Sequence, residues 1–486
     1  MASLPLHHRA AFARRLHCRR GIVVLALMAC WSGTWPTEAR GQDQADGSPS
    51  WKNVEASQQF KDVVTALKGP GPLTDEARAF LEQSILPQLE SDANRATLDD
   101  TRKKIRDRIL LVIGNDAAFT EACQLVRDRM GELARNDKVD PIIRVQAMML
   151  VADLVDKARL PWTPALKTLA EAALDASLAP GPRAAAMVGI ANHASALNRL
   201  TGDPAKMVKE TVVRVLSGLL TSPVAPGEKK PGATRPVDVA WMASRGLSML
   251  PQAMSPTTPE MAAILATTID DASWPIDVRV RAAMALGRTA GPESGVDGPK
   301  IVAAIKELAI AALESDRADA KQILESRAYK GGGGGPAMQP RSAMPAMPAM
   351  PARAPAEDGL RESVCRRAAW RLYALGDAID PKTSKGGLAS LLGKNDGEAK
   401  KLATSLKEAG EALDAAPYGD NLLASLDTLD PAGAKRRAAE AVRAAAAEPE
   451  PDATGDRPEP EQDGKPPADD KPAPKPDDSP SSDPFG

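Results

Sequence analysis

The chain has 486 residues, of which 26% are charged and 43% hydrophobic. These proportions are typical of a soluble globular protein, and the length suits two or three domains or one long array. Aromatic residues make up only 3%, which argues against a large aromatic core and against surfaces that stack nucleic-acid bases. The formal net charge of −2 arises in an acidic C-terminal segment. Residues 1–41 are basic, and the body between the two ends, 42–447, has a net charge of +1. The body therefore has no bulk charge to attract DNA or anionic lipid.

Residues 1–41 predict a signal peptide. A basic stretch precedes the short apolar run Gly21–Cys30, and small residues stand ahead of a cleavage site before Gln42. The run is too short to span a bilayer. The end of this run, Leu27-Met28-Ala29-Cys30, is also similar to a bacterial lipoprotein box, in which Cys30 would carry lipid. As a further alternative, Arg19-Arg20 weakly resembles a twin-arginine signal. Each alternative predicts an exported protein, either periplasmic or secreted.

After a loose segment, 42–50, residues 51–330 form a succession of helical patterns. Several patterns begin with Asp or Thr followed by Pro. The side-chain oxygen can cap the first turn, and Pro fits the first helical position because its missing N–H is not needed there. No stretch of sustained alternation between apolar and polar residues occurs, so we predict an all-α protein. The capping pairs are Asp140-Pro141, Thr163-Pro164, Asp203-Pro204, Thr258-Pro259 and, farther along, Asp430-Pro431.

One helical pattern recurs along this domain. In the stretch Trp274–Gly291, Arg279 is followed three residues later by Ala282 and then by Leu286-Gly287. Successive copies lie 38, 39, 57 and 39 residues apart, and the long interval contains a loop insertion, 223–236. A period of about 39 residues with two helices per unit is typical of an α-solenoid. The copies are anchored at Arg106, Arg144, Arg183, Ala240 and Arg279.

The recurring pattern resembles the HEAT repeat family, most clearly over 98–291. This resemblance implies that small residues let neighbouring helices approach closely, and that Asp and Arg side chains form a polar ladder between adjacent repeats. It implies a fold and not an activity. The match departs at Arg183, which lacks an Asp two residues before it, and at Ala240, which lacks the Arg. The residues that carry the resemblance are Pro275, Asp277, Val278, Arg279, Ala282, Ala285, Leu286 and Gly287. By position the ladder arginines are Arg106, Arg144, Arg183 and Arg279, with Asp277 as the clearest partner.

Composition changes after the repeat domain. Residues 331–357 hold a Gly run and repeated Met-Pro-Ala steps, which predict a linker. Residues 358–447 resume a helical pattern, and 448–486 contain eleven prolines with twelve acidic and four basic residues, which predicts a disordered tail. In the helical segment an arginine cluster predicts a solvated helix face, with contact to an anion as the alternative. This cluster comprises Arg361, Arg366, Arg367 and Arg371.

No group of residues predicts catalysis, a cofactor or a metal site. His193 is the one histidine beyond the signal segment, and Ser195 lies two residues away, where helical side chains point apart. We expect a packing or surface histidine, and not a general base. Cys123 and Cys365 are far apart, so we expect core residues in preference to a disulfide. Zinc, haem and phosphate-loop motifs are missing from the sequence.

Trp162 and Trp274 each precede a predicted helix start. They suit a hydrophobic staple, and exposed partner anchors are the alternative. We therefore expect a non-catalytic binding or scaffold module of the cell envelope that recognises an unknown protein or peptide, and not nucleic acid. We expect no transmembrane helix, and membrane contact only through a lipidated Cys30. Two alternatives stay open: a structural envelope lipoprotein anchored at Cys30, and a hydrolase with an unrecognised carboxylate site.

Overall fold

The computed structural model describes residues 50–223, 234–331, 356–381, 388–392, 396–415 and 419–447. Within these ranges the chain is helical almost throughout, and its one extended pairing is an isolated bridge between Val155 and Pro161. The prediction of an all-α protein is confirmed for this part of the chain. The signal segment with Cys30, most of the predicted linker and the tail lie outside it. Of the helices it contains, none has the length and hydropathy needed to cross a membrane.

The first helices are short and irregular. The helix beginning at Asp75 passes into a π-helical turn, 81–85, and then into a 3₁₀ turn, 86–89. Pro87 lies in that last turn and has no N–H to continue the α-helical bonding. The helix beginning at Leu98 changes in the same way over 105–112. The α-helices of this part are α1 Trp51–Ala56, α2 Gln58–Leu67, α3 Asp75–Phe80 and α4 Leu98–Lys104.

Regular helices occupy the middle of the chain, and four of the eight begin near a predicted cap. Asp140 accepts a hydrogen bond from the Ile142 N–H at 2.8 Å, and Thr258 accepts one from Met261 at 3.4 Å. The caps predicted at Thr163 and Asp203 are wrong. Thr163 opens a 3₁₀ turn, and Asp203 lies inside a helix that begins at Gly202. The helices are α5 Asp116–Arg135, α6 Pro141–Ala152, α7 Leu166–Leu174, α8 Pro180–Ser195, α9 Gly202–Thr221, α10 Val237–Ala253, α11 Pro259–Asp270 and α12 Ile276–Thr289.

The last helices flank the predicted linker. The long helix after Gly298 runs to Gly331, and the next helix begins at Ala356. Asp430 accepts a hydrogen bond from the Gly433 N–H at 2.9 Å, which confirms the cap predicted there. The helices are α13 Gly298–Gly331, α14 Ala356–Ile379, α15 Asp396–Ala415, α16 Gly419–Leu429 and α17 Pro431–Ala447.

Two packing relations repeat from α5 to α14. Each odd-numbered helix packs on the next helix in sequence, giving the pairs α5–α6, α7–α8, α9–α10, α11–α12 and α13–α14. The even-numbered members also pack on one another in order, as α6, α8, α10, α12 and α14. We call these five helices the even row. The helices α7, α9, α11 and α13 contact one another in sequence as well.

The apolar core forms two clusters that meet on α9 and α10. The first runs from Trp51 to Ala253 and the second from Leu216 to Leu429. The second cluster includes residues on both sides of the predicted linker, so that segment does not divide the core. The chain separates into two units at 429/430, and the described part of the second unit is α17.

Candidate functional site

Three of the predicted ladder arginines make the same contact. Each donates its Nε–H to the carbonyl of the residue ten positions earlier, in the last turn of the preceding helix. Carbonyls in the last turn have no intrahelical donor, so the arginine satisfies a group that helix formation leaves open. The contacts are Arg144 to Ala134 at 3.0 Å, Arg183 to Ala173 at 3.4 Å and Arg279 to Ile269 at 2.8 Å.

Arg183 also reaches the next helix of the even row. Its guanidinium lies 2.9 Å from the Asp238 carboxylate, and both side chains are largely buried. Asp238 stands two residues before Ala240, as Asp277 stands two residues before Arg279. The sequence analysis missed Asp238, although its position in the repeat was a signal that could have found it.

Asp277 does not pair with any predicted ladder arginine. By analogy with the Arg183–Asp238 pair, its partner would lie at position 240, where the residue is alanine. Arg371 of α14 takes that role, with its Nε 2.7 Å from Asp277 Oδ1. This corrects the predicted ladder. It also shows that Arg371, which we expected on a solvated face, is buried and contacts a half-exposed carboxylate 94 residues away in the sequence.

Arg371 belongs to a buried cluster that joins α12, α13 and α14. Its Nη1 lies 2.8 Å from Asp316 Oδ1, and Arg367 donates to the same oxygen at 2.7 Å. Asp316 has no exposed surface, and its second oxygen has no hydrogen-bond donor among the described residues. Burial raises the pKa of Asp316, and the two arginines act against that rise. Asp319 also pairs with Arg367 but is half exposed.

Arg106 departs from the other ladder arginines. It lies in the π-helical turn, where its Nε donates to the neighbouring Asp107 at 2.8 Å. Arg102, one turn earlier, occupies the buried position and reaches Asp153 at 3.1 Å and Gln146 at 3.1 Å. The change in helical register explains why the sequence pattern selected the wrong arginine.

Trp162 and Trp274 are buried, with 6% and 2% of their surfaces exposed. The reading of these residues as exposed partner anchors is therefore corrected, because neither ring presents a free face. The Arg235 guanidinium stacks on Trp274 at 4.2 Å and also contacts Ser273 and the Ser222 carbonyl. The contact with the Ser222 carbonyl joins residues on either side of 224–233, where the loop insertion is predicted.

The candidate acid–base and thiol groups are engaged in packing. His193 is fully buried, with ring nitrogens 2.8 Å from the Gly189 carbonyl and 3.3 Å from the Trp162 carbonyl. Burial lowers its pKa. The Ser195 hydroxyl donates to Ala191 and not to His193. The remaining candidates, Cys123 and Cys365, are buried and unpaired with each other, as predicted.

Two small cavities lie beside Trp162. One of about 270 Å³ is lined by Asp116 and Lys157, whose ammonium donates to the Gly114 carbonyl at 2.5 Å. The other, of about 240 Å³, is lined by Arg199. Within the described ranges, no group of three or more His, Cys, Asp or Glu side chains is placed to hold a metal ion.

Comparison of the chain with protein-family models, curated proteins and solved structures found no match in any of the three.

Proposed function

We propose that the protein is a non-catalytic binding or scaffold protein of the cell envelope, built as an α-solenoid of HEAT-like helix pairs. The observation that carries this proposal is the bond from Arg144, Arg183 and Arg279 to the residue ten positions earlier. The same side chain performs the same task in three separate helix pairs, as expected of a repeated structural unit.

The even row supplies the surface that this function requires. Its helices pack on one another in order, which would align their exposed side chains along one surface. Ion pairs join neighbouring members of the row: Arg183–Asp238, which is largely buried, and Arg371–Asp277, in which Asp277 is half exposed. A surface held in this way loses little conformational freedom on binding, which favours recognition of a protein or peptide.

The proposal is tested by photo-crosslinking from the full chain in an envelope extract of the source cells. A photoreactive amino acid is placed at Asn192 and Ser248, which are exposed on α8 and α10. Matched controls carry it at Lys209 and Arg214, exposed on α9. We expect one or two proteins to crosslink reproducibly from the even-row positions and much less from α9.

Two results would contradict the proposal. If no envelope protein crosslinks from any of the four positions, the binding role fails. If purified full chain turns over generic ester, peptide or glycoside substrates, and an Asp or Glu substitution abolishes that turnover, the hydrolase alternative replaces it.

A further inference from the structure

The smaller of the two cavities beside Trp162 lies between two connections of the chain, the one from α6 to α7 and the one from α8 to α9. Asp156 and Trp162 border it from the first connection, and Arg199 borders it from the second. Its volume of about 240 Å³ suits a ligand smaller than the drug-sized molecules that occupy typical binding pockets. We call it the Arg199 cavity.

Two opposite charges border the Arg199 cavity, and neither has an ion-pair partner among the described residues. The Asp156 carboxylate accepts a hydrogen bond from the Leu160 N–H at 2.8 Å, and the Arg199 side chain is exposed. The larger cavity differs, because the Lys157 ammonium that borders it is already paired with Asp116 at 2.5 Å. The Arg199 cavity therefore offers a carboxylate and a guanidinium to a ligand that carries both an ammonium and a carboxylate group.

Most of the other residues that line the cavity are apolar. They are Trp162, Leu160, Leu200, Pro161 and Pro204. Small-molecule sites typically combine an apolar lining with a few polar groups that fix the orientation of the ligand. The lining therefore favours a ligand with an apolar side chain.

The connection that carries Asp156 and Trp162 is held in place by its own hydrogen bonds. The Asp156 N–H donates to the Leu160 carbonyl at 2.7 Å, and the Trp162 N–H donates to the Leu154 carbonyl at 2.9 Å. The isolated extended bridge of the fold lies in the same connection. A site that is ordered before the ligand arrives loses less conformational entropy on binding.

We propose that the Arg199 cavity binds a free α-amino acid with an apolar side chain. The ligand carboxylate would pair with Arg199, its ammonium group with Asp156, and its side chain would pack beside Trp162. A ligand with only one of the two charges is a poorer fit, because it leaves one cavity charge without a partner. This inference adds a small-molecule ligand to the proposed scaffold function and does not depend on it.

The test is isothermal titration calorimetry of the full chain with leucine. Two analogues each lack one charge: leucinamide has no carboxylate, and isocaproate has no ammonium group. Two variants remove the cavity charges, Arg199→Gln and Asp156→Asn, and the Asn side chain keeps an oxygen that can accept the Leu160 N–H. The matched controls are Arg214→Gln on α9 and Glu260→Gln on α11, both at exposed side chains.

We expect leucine to bind the wild type with a Kd of about 1 mM or lower. Leucinamide and isocaproate should each bind about tenfold more weakly, because each loses one ion pair. Arg199→Gln and Asp156→Asn should weaken leucine binding by about tenfold, while the two controls should leave it within about twofold. Alanine should bind more weakly than leucine, because its side chain buries less apolar surface. Circular dichroism and the unfolding midpoint of each variant establish that it is folded.

Absence of binding with leucine, methionine and phenylalanine at about 10 mM would overturn the inference. Leucinamide or isocaproate binding as tightly as leucine would also overturn it, because binding would then depend on one charge only. Equal effects of the cavity variants and their controls would show that the amino acid binds elsewhere. None of these outcomes changes the proposed scaffold function, which is tested separately by crosslinking from Asn192 and Ser248.

Discussion

At the scale of single residues, the ladder arginines act as connectors between helix ends. Arg183 satisfies a carbonyl of α7 and the carboxylate of Asp238 in α10 with one guanidinium, of which only a tenth is exposed. A side chain that serves two neighbours in a buried position is costly to remove, because both partners lose their hydrogen-bond donors.

We predict that Arg183→Ala lowers the free energy of unfolding by about 3 kcal/mol, since it leaves the Asp238 carboxylate partly buried without its cation. Urea unfolding followed by circular dichroism measures the change. Arg199→Ala, at an exposed arginine beyond α8, is the matched control and should change stability by less than about 0.5 kcal/mol. Similar losses in the two variants would show that the connector role of Arg183 is wrong.

His193 should make stability depend on pH. Burial lowers its pKa below the ordinary histidine value of about 6.5, so the unfolded chain takes up a proton first as pH falls. The contribution of the neutral ring is fully present above pH 6.5 and is lost progressively below it. The stability advantage of the wild type over His193→Gln should therefore shrink between pH 7.5 and pH 5.

Urea unfolding of both proteins across this range measures that difference. All other titrating groups are common to the two chains and cancel. An advantage that stays constant with pH would mean that His193 titrates alike in the folded and unfolded states.

The sequence could predict the contacts of these arginines only where the partners are local. The carbonyls of Ala134, Ala173 and Ile269 lie ten residues before their arginines, within one helix pair, so a repeated pattern is sufficient. Arg371 and Asp277 are 94 residues apart on either side of the predicted linker, and no local pattern connects them. In the first helices, the π-helical turn shifts the register and moves the buried position from Arg106 to Arg102.

At the scale of helices, small residues set how closely the even row packs. The sequence predicted close packing around Gly287, and the backbone of Ala378 at the end of α14 lies directly against it. A Cβ at position 287 would overlap the Ala378 carbonyl group, which has little freedom to move within its helix. Helix caps were less predictable, because the pattern does not reveal a preceding 3₁₀ turn such as that at Thr163.

We predict that Gly287→Ala destabilises the protein by about 2 kcal/mol or more, because α12 and α14 must separate. Alanine has a higher helix propensity than glycine, so propensity alone would make the variant more stable. A loss of stability would therefore report the overlap with Ala378. Gly397→Ala in α15 is the control, since a Cβ there meets nothing within 4 Å. Thermal unfolding should show a lower midpoint for Gly287→Ala and an unchanged or higher midpoint for Gly397→Ala. An unchanged midpoint for both would contradict the close approach.

The buried cluster at Asp316 should hold α13 to α14. Asp316→Asn preserves the shape of the side chain and removes the charge that Arg367 and Arg371 share, so we expect a loss of about 3 to 5 kcal/mol. Asp319→Asn makes the same chemical change on the same helix, at a half-exposed partner of Arg367, and should cost less than about 1 kcal/mol. Denaturant unfolding compares the two. A smaller loss for Asp316→Asn than for Asp319→Asn would exclude this role.

At the scale of the whole molecule, composition and periodicity predicted the all-α class but not the division of the core. Changes in composition suggested a boundary at the linker, 331–357. The apolar side chains of α14 and α15 instead join those of α12 and α13 in one cluster. Composition can identify a segment that does not suit a helix, such as the linker. It cannot show which residues share a core, because that depends on which helices, distant in sequence, pack together.

Because the core is divided into two clusters, we predict that the helices around one cluster can unfold locally while those around the other stay folded. The clusters meet on α9, where Val215 and Leu219 face the first cluster while Leu216 and Leu220 face the second. Where helices contact mainly their neighbours, a local defect is expected to loosen nearby elements first. A cavity in one cluster should therefore leave the distant helices of the other protected.

Hydrogen exchange followed by mass spectrometry can test this with two matched variants. Leu150→Ala opens a cavity in the first cluster and Leu308→Ala opens one in the second, and both side chains are fully buried. Each should cost about 2 to 5 kcal/mol locally. We expect Leu150→Ala to accelerate exchange in α5 to α8 and Leu308→Ala to accelerate it in α12 to α15, with α9 and α10 responding to both. Equal acceleration along the whole chain in both variants would show that the clusters unfold as one cooperative unit.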